Sequence, residues 1–165
     1  MDVFLVDTGG SGPAPLRLSP LKTGMVAFNV YQFQPWQALG MHRHPASEEV
    51  FYVIDGRCRF YVNDEARDVD ANHGVHIPEG AMHAVLSCSR ATLLSIQGPQ
   101  PVMSVYGKGL EYFCPVCQLE TPLPTGRRTG DKEECPRCKA VLKLTEAGEA
   151  FGAELSEAAS EEANA

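Results

Sequence analysis

The chain has 165 residues, a formal net charge of −7, 44% hydrophobic and 8% aromatic content, the profile of a globular protein with one full core and room for a small appendage. Six Glu and no Lys or Arg follow Leu144, so the body before them is near neutral and carries no basic footprint for nucleic acid. No apolar run approaches the roughly 20 residues of a spanning helix, and the start, MDVFLVDTGG, lacks the basic flank and apolar length of a signal peptide. A cytoplasmic, reducing setting is therefore expected, in which the six cysteines do not pair by default.

Segments rich in Val, Phe, Tyr and Ile recur along the chain, parted by Gly, Pro, Asn and Asp. The pattern predicts strands over 2–6, 25–34, 39–44, 49–54, 57–63, 66–69, 74–77, 83–87, 91–97 and 102–106, with a loop over 8–15 and turns over 62–66 and 71–74. Many short strands with turn chemistry between them, and no long helical pattern before residue 145, indicate an all-β sandwich or barrel. Alternation puts Glu49, Phe51 and Val53 on one face of their strand, and Cys58, Phe60 and Val62 together on the next. These sets read as interior; Val50, Tyr52, Ile54, Arg57, Arg59 and Tyr61 read as exterior. Cys58 and Cys88 fit no motif and are expected to be small buried hydrophobes.

Four residues stand out: His42, His44, Glu49 and His83. On a strand, His42 and His44 point to the same face. A lone histidine would read as a solvated or core residue; three imidazoles and a carboxylate suit a divalent transition metal better than calcium or magnesium. Their context resembles the two motifs of the cupin family. In the first, His42-x-His44 is followed by Glu49 and Gly56; in the second, Pro78-x-Gly80-x-x-His83 matches the core. The resemblance covers roughly residues 16–106. Three positions depart from it: Trp36 and Asn72 stand where Gly is usual, and Ser87 where Asn is usual. Asn tolerates the left-handed conformation of a turn Gly, while the larger Trp36 is expected to line the pocket mouth.

The resemblance implies a double-stranded β-helix, a jelly-roll barrel, with His42, His44, Glu49 and His83 as ligands of one interior metal. Glu48 would point outward, His73 would sit in a solvated turn, and His76 would lie off the ligand face. Iron is the expected ion, with manganese, nickel or zinc as alternatives. Four protein ligands on a six-coordinate ion leave two positions open, as inner-sphere chemistry requires. The inferred inner wall (Phe51, Val53, Phe60, Val62, Val85) is apolar and fits a small organic ligand with a chelating oxygen.

After Gly109 the composition changes. CPVC (Cys114, Cys117) and CPRC (Cys135, Cys138) are 17 residues apart, a spacing that reads as a four-cysteine metal site. Residues 110–143 resemble a zinc ribbon or rubredoxin-like knuckle pair, holding zinc or, second, iron in a closed structural site. Such knuckles often carry Gly after the second Cys, where this chain has Gln118 and Lys139. With little apolar content, the segment is expected to fold on its metal. Residues 144–165 form an acidic tail, expected to be a short helix packed through Phe151 and Leu155 or partly disordered.

Three functions follow: a metal-dependent oxidoreductase of dioxygenase type, a non-oxidative metal enzyme (isomerase or hydrolase), or a binding and sensing module. The expected partners are a small-molecule substrate or ligand and a second copy of the chain, as a homodimer; no nucleic acid or membrane is expected.

Overall fold

The computed structural model describes residues 14–148 and 150–156, together with 1, 3, 6 and 12. Nine strands and a short tenth build the barrel: β1 Leu16–Lys22, β2 Ala27–Phe33, β3 Ala38–Arg43, β4 Glu48–Asp55, β5 Arg57–Val62, β6 Glu65–Asp70, β7 Gly74–Ile77, β8 His83–Ser87, β9 Ala91–Gly98 and β10 Val105–Tyr106. Five further strands follow: β11 Glu111–Phe113, β12 Glu120–Pro122, β13 Lys132–Glu134, β14 Val141–Ala147 and β15 Ala150–Leu155. No helix occurs among the described residues.

The barrel is a double-stranded β-helix of two sheets, ordered β1-β2-β9-β4-β7 and β10-β3-β8-β5-β6. Alternation in β4 buries Glu49, Phe51 and Val53 and exposes Val50, Tyr52 and Ile54. Phe51 and Val53 join Cys58, Phe60, Val85, Tyr31, Phe33 and Leu93 in the core between the sheets, with Val62 at its margin. Gly56 makes the tight β4–β5 connection at φ +84°, and a Cβ there would collide with the Arg90 carbonyl oxygen. Only glycine fits that turn.

Most of the predicted N-terminal strand 2–6 and of the 8–15 loop lies outside the described residues; Val3 and Val6, which are described, are not in a strand. The first described strand is β1, which the sequence pattern missed. Pro20 interrupts it, and its pairing with β2 shifts register between Leu18 and Leu21, an irregularity that an edge strand tolerates. At the far end, the strand expected over 102–106 shortens to Val105–Tyr106.

The outer face of the second sheet is not solvated. Sheet β12-β11-β15-β14-β13 packs on it, and a second core joins Met41, Tyr61, Ala84 and Leu86 of the barrel to Tyr112, Leu119, Leu123, Leu142 and Leu144. Tyr61, expected outside, is only 3% exposed because this ribbon covers it. The ribbon therefore does not depend on metal alone for its interior; it borrows the back of the barrel. It also extends past residue 143. In place of a helix or frayed tail, β14 continues to Ala147 and β15 runs back from Ala150, paired from Leu142↔Leu155 to Ala147↔Ala150. Phe151 is half-buried on the second core and Leu155 is exposed; residues 157–165 lie outside the described set.

Trp36 is placed differently from expectation as well. It packs on the second core with the Arg137 guanidinium carbon 5.8 Å from its ring centroid, at the barrel–ribbon junction and away from the interior site.

Candidate metal centre

His42 lies on β3, His44 just beyond it, Glu49 near the start of β4 and His83 at the start of β8. The two motifs are stitched together by backbone: the Gly80 N–H donates to the His44 carbonyl at 2.9 Å, and His42 pairs directly with His83 across β3–β8. One ligand atom from each of the four side chains lies within 4.8 Å of all the others. Glu49 and His83 are 1% exposed, His44 3% and His42 8%. Glu48 points out to the exposed His76 at 3.3 Å, and His73 faces the carbonyls of Asp70 and Ala71. Neither histidine joins the cluster.

The hydrogen bonds fix the histidine tautomers. Nδ1 of His42 lies 2.8 Å from the Gly40 carbonyl, that of His44 2.9 Å from Met103, and that of His83 3.0 Å from Ala81. A carbonyl only accepts, so each Nδ1 carries the proton and each neutral ring turns a bare Nε2 inward. Oε2 of Glu49 lies 3.1 Å from Nε2 of both His44 and His83. Two lone pairs facing a carboxylate oxygen are repulsive unless a cation lies between them. With bonds of about 2.1 Å, neighbouring ligands on an octahedral ion sit about 3 Å apart, which the 3.1 Å spacings match. The residues fit a divalent transition metal.

Without an ion, a proton between Nε2 and Glu49 takes the place that the cation would have, and the titration of the cluster reflects that state. Burial and the neighbouring His83 hold the His42 imidazole down at about 4, so it is neutral and ready to ligate. For Glu49, burial opposes ionisation, but hydrogen bonds from His44, His83 and Ser95 outweigh it and bring the carboxyl to about 2. Burial of His44 is likewise outweighed, by its hydrogen bonds to Glu49 and the Met103 carbonyl, and its pKa is raised.

Around Glu49 the wall is polar, which alternation in β4 alone does not reveal. The Ser95 hydroxyl and Gln97 Nε2 (2.7 Å) donate to Oε1, and buried Asn29 stands behind Gln97. All three come from strands β2 and β9 and follow the same inward alternation as β4 and β5, so the signal is present in the sequence. The opposite wall is apolar as expected, with Phe51 stacked edgewise on Phe60 at 5.5 Å. Tyr106, 71% exposed, lies 5.7 Å from the His42 ring and marks the side nearest solvent.

The four cysteines form the second cluster, again within 4.8 Å of one another. Sγ of Cys114 is 3.7 Å from that of Cys138, and Cys117 3.6 Å from Cys135. Those are not disulfide lengths of about 2.05 Å; they are close to the edge of about 3.8 Å of a tetrahedron with metal–sulfur bonds of about 2.3 Å. Both knuckles close alike: Gln118 N–H donates to the Cys114 carbonyl at 2.9 Å, and Lys139 N–H to Cys135 at 3.0 Å.

Four of the five departures from the family motifs share one explanation. Trp36 (φ 68°), Asn72 (φ 66°), Gln118 (φ 61°) and Lys139 (φ 64°) all adopt the left-handed conformation that the usual Gly would supply. The backbone is kept and the residue is not. Ser87 donates to the Gln34 and Gln37 carbonyls at 2.6 and 3.1 Å, and its own carbonyl accepts from Trp36 N–H at 2.9 Å, so two of the departures hold one turn together.

Residues 29–97 match the family model of the cupin domain. No curated protein matches the chain significantly. Among solved structures, an uncharacterized conserved protein with a double-stranded β-helix domain from Klebsiella pneumoniae is 19% identical with a TM-score of 0.56, covering 59% of this chain and 88% of that one. TT1209 from Thermus thermophilus is 27% identical at TM-score 0.52, covering 55% and 89%. KdgF from Halomonas sp. is 15% identical at TM-score 0.55, covering 61% and 96%. Both motifs thus stand in register within the residues that match the cupin domain model, in a barrel with the double-stranded β-helix fold.

Proposed function

We propose that the chain is a metal-dependent oxidoreductase of dioxygenase type, acting on a small organic substrate at the barrel site. The observation that carries this reading is the locking of all three Nδ1 atoms by backbone carbonyls, which leaves three bare Nε2 atoms and one carboxylate oxygen converging. A bound iron would supply Lewis acidity and redox capacity, with manganese and nickel as the nearest alternatives. The protein's part is to hold Glu49 ionised through Ser95 and Gln97, to keep His42 neutral, and to exclude bulk water with the Phe51–Phe60 wall. The cysteine site, with four thiolates and no open position, is proposed to hold zinc in a structural role. Oxygen uptake by the iron-loaded protein against catechols, flavonols, 1,3-diketones and hydroxyanthranilates tests the reading. Consumption with one class supports it; a flat response across the panel favours a non-oxidative enzyme or a binding module.

The chain is further proposed to pair with a second copy through the outer face of the β1-β2-β9-β4-β7 sheet. There Val50, Tyr52, Ile54 and Ile96 are 40–47% exposed, and Val50 stands opposite Ile96 and Tyr52 opposite Leu94 in adjacent rows. The other sheet already has its cover in the ribbon, so this apolar face is the one left for association. Sedimentation should show a dimer that Tyr52→Glu with Ile96→Glu converts to monomer; a monomeric wild type contradicts it.

A further inference from the structure

Arg17 occupies an unusual place for an arginine. On β1 it stands opposite Tyr31, a core residue, so it shares the inner face of its sheet. It remains exposed because the facing edge of the other sheet is only the two-residue β10. Its Nε and Nη2 donate to Oδ1 of Asn29 at 3.2 and 3.0 Å, and its guanidinium carbon lies 5.7 Å from the Tyr31 ring centroid. Ser19 donates to the same Oδ1 at 2.7 Å. Asn29 Nδ2 then meets Gln97 Oε1 at 3.4 Å, and Gln97 Nε2 reaches Glu49 at 2.7 Å. A fixed cation thus stands two side chains away from a metal ligand.

Among the described residues no carboxylate lies within 4 Å of it, whereas Arg57, Arg59, Arg67 and Arg127 each have one. Its Nη1 makes no hydrogen bond within the described chain. Burial pushes the Tyr31 hydroxyl up to about 12 while the charge of Arg17 pulls it down, so the cation is felt inside the barrel. A guanidinium held in place, with no carboxylate partner among the described residues, and presented on the inner face at an edge strand fits an anion receptor.

We infer that Arg17 selects for a small organic acid, one end of which reaches the metal through oxygen while its carboxylate is taken by the Arg17 guanidinium at the β1–β10 edge. The inference rests on the barrel metal site and names the substrate class for it. An apolar wall, a metal and one displaced cation together suit a carboxylate-bearing carbon chain better than a neutral ring or a sugar.

The test uses the full chain with Mn(II), which imidazole and carboxylate accept and thiolates disfavour. Water-proton relaxation is followed as glutarate, or its monoamide glutaramate, displaces metal-bound water. Glutarate should bind at least tenfold more tightly than glutaramate. Arg17→Gln should bring the two within twofold, Arg17→Lys should restore part of the preference, and Arg67→Gln, at the opposite β6–β7 edge, should leave it intact. No preference in the wild type, or a preference that survives Arg17→Gln or falls with Arg67→Gln, overturns the inference and leaves the metal site standing. Failure of Mn(II) to bind the barrel overturns both.

Discussion

Oε2 of Glu49 lies 3.1 Å from Nε2 of His83, 34 residues further along the chain, while Nδ1 of the same imidazole is held by the Ala81 carbonyl. One nitrogen of the ring is therefore fixed by the backbone, and the other is turned towards Glu49. The same arrangement recurs at His44, and it defines what the barrel asks of an ion: a small divalent centre that takes three nitrogens and one oxygen without reorganising them.

Gln97 and Ser95 should tune that centre without touching the ion. Gln97→Ala removes the 2.7 Å donor to Oε1 and frees the carboxylate to rotate. Metal affinity should fall about 10- to 100-fold, the usual cost of a lost outer-shell partner, and a competition titration against a chelator measures it. Ser95→Ala should act in the same direction. An unchanged affinity in both would mean that packing alone orients Glu49.

The ribbon should stabilise the barrel. Cys114→Ser removes one thiolate from a cluster whose sheet covers Tyr61, Ala84 and Leu86. The ribbon should loosen, exposing apolar surface next to His83, with a fall in Tm of several degrees and increased binding of a hydrophobic dye. Chelation of the ribbon ion should have the same effect. An unmoved Tm would mean that the shared core holds without metal.

Left-handed non-glycines offer a cleaner energetic test. At Gln118 and Lys139 the conformation costs about 1–2 kcal/mol, partly offset by the greater unfolded-state entropy of Gly. Gln118→Gly and Lys139→Gly should each be neutral or stabilising by up to about 1 kcal/mol in denaturant unfolding. Trp36→Gly should destabilise instead, because Trp36 also loses its packing on the second core and its stack with Arg137.

Acid should weaken the metal-free protein in two windows. His42 is held at about 4 when folded, against 6.5 when free. As pH falls from 6.5 to about 4 the unfolded chain takes up a proton that the folded one refuses, and stability drops. Glu49, at about 2 against 4.5, contributes stability above 4.5 that is lost as pH falls to about 2. His44 acts in the opposite sense, its contribution lost as pH rises through its elevated folded value. Tm against pH should therefore decline from 6.5 downward, and Glu49→Gln should flatten the segment below 4.5. A flat wild-type profile between 6.5 and 4 would contradict the placement of His42.

Much of this is legible from local pattern. Two-residue alternation in EEVFYVI separates Glu49 from Glu48, and the motif spacing leaves His73 and His76 aside, as the structure has them. What escapes is whatever depends on a distant partner. Tyr61 alternates outward and is buried only because the ribbon lands on it. The AFGAEL strand has only Phe151 and Leu155 as large apolar residues and is held by backbone pairing with β14 and, in parallel, β11. Arg17 hides in LRLSPLK, where Pro20 breaks the strand signature and an edge register shift restores it. Alternation across β2 and β9 carries the signal for Asn29, Ser95 and Gln97.

Metal content per chain tests the central claim most directly. The purified wild type, reconstituted with iron and zinc, should carry two equivalents of metal. Glu49→Ala should retain one, at the cysteines, while Glu48→Ala retains both. A wild type holding only the cysteine-bound ion, or equal losses in the two variants, would contradict a barrel site built on His42, His44, Glu49 and His83.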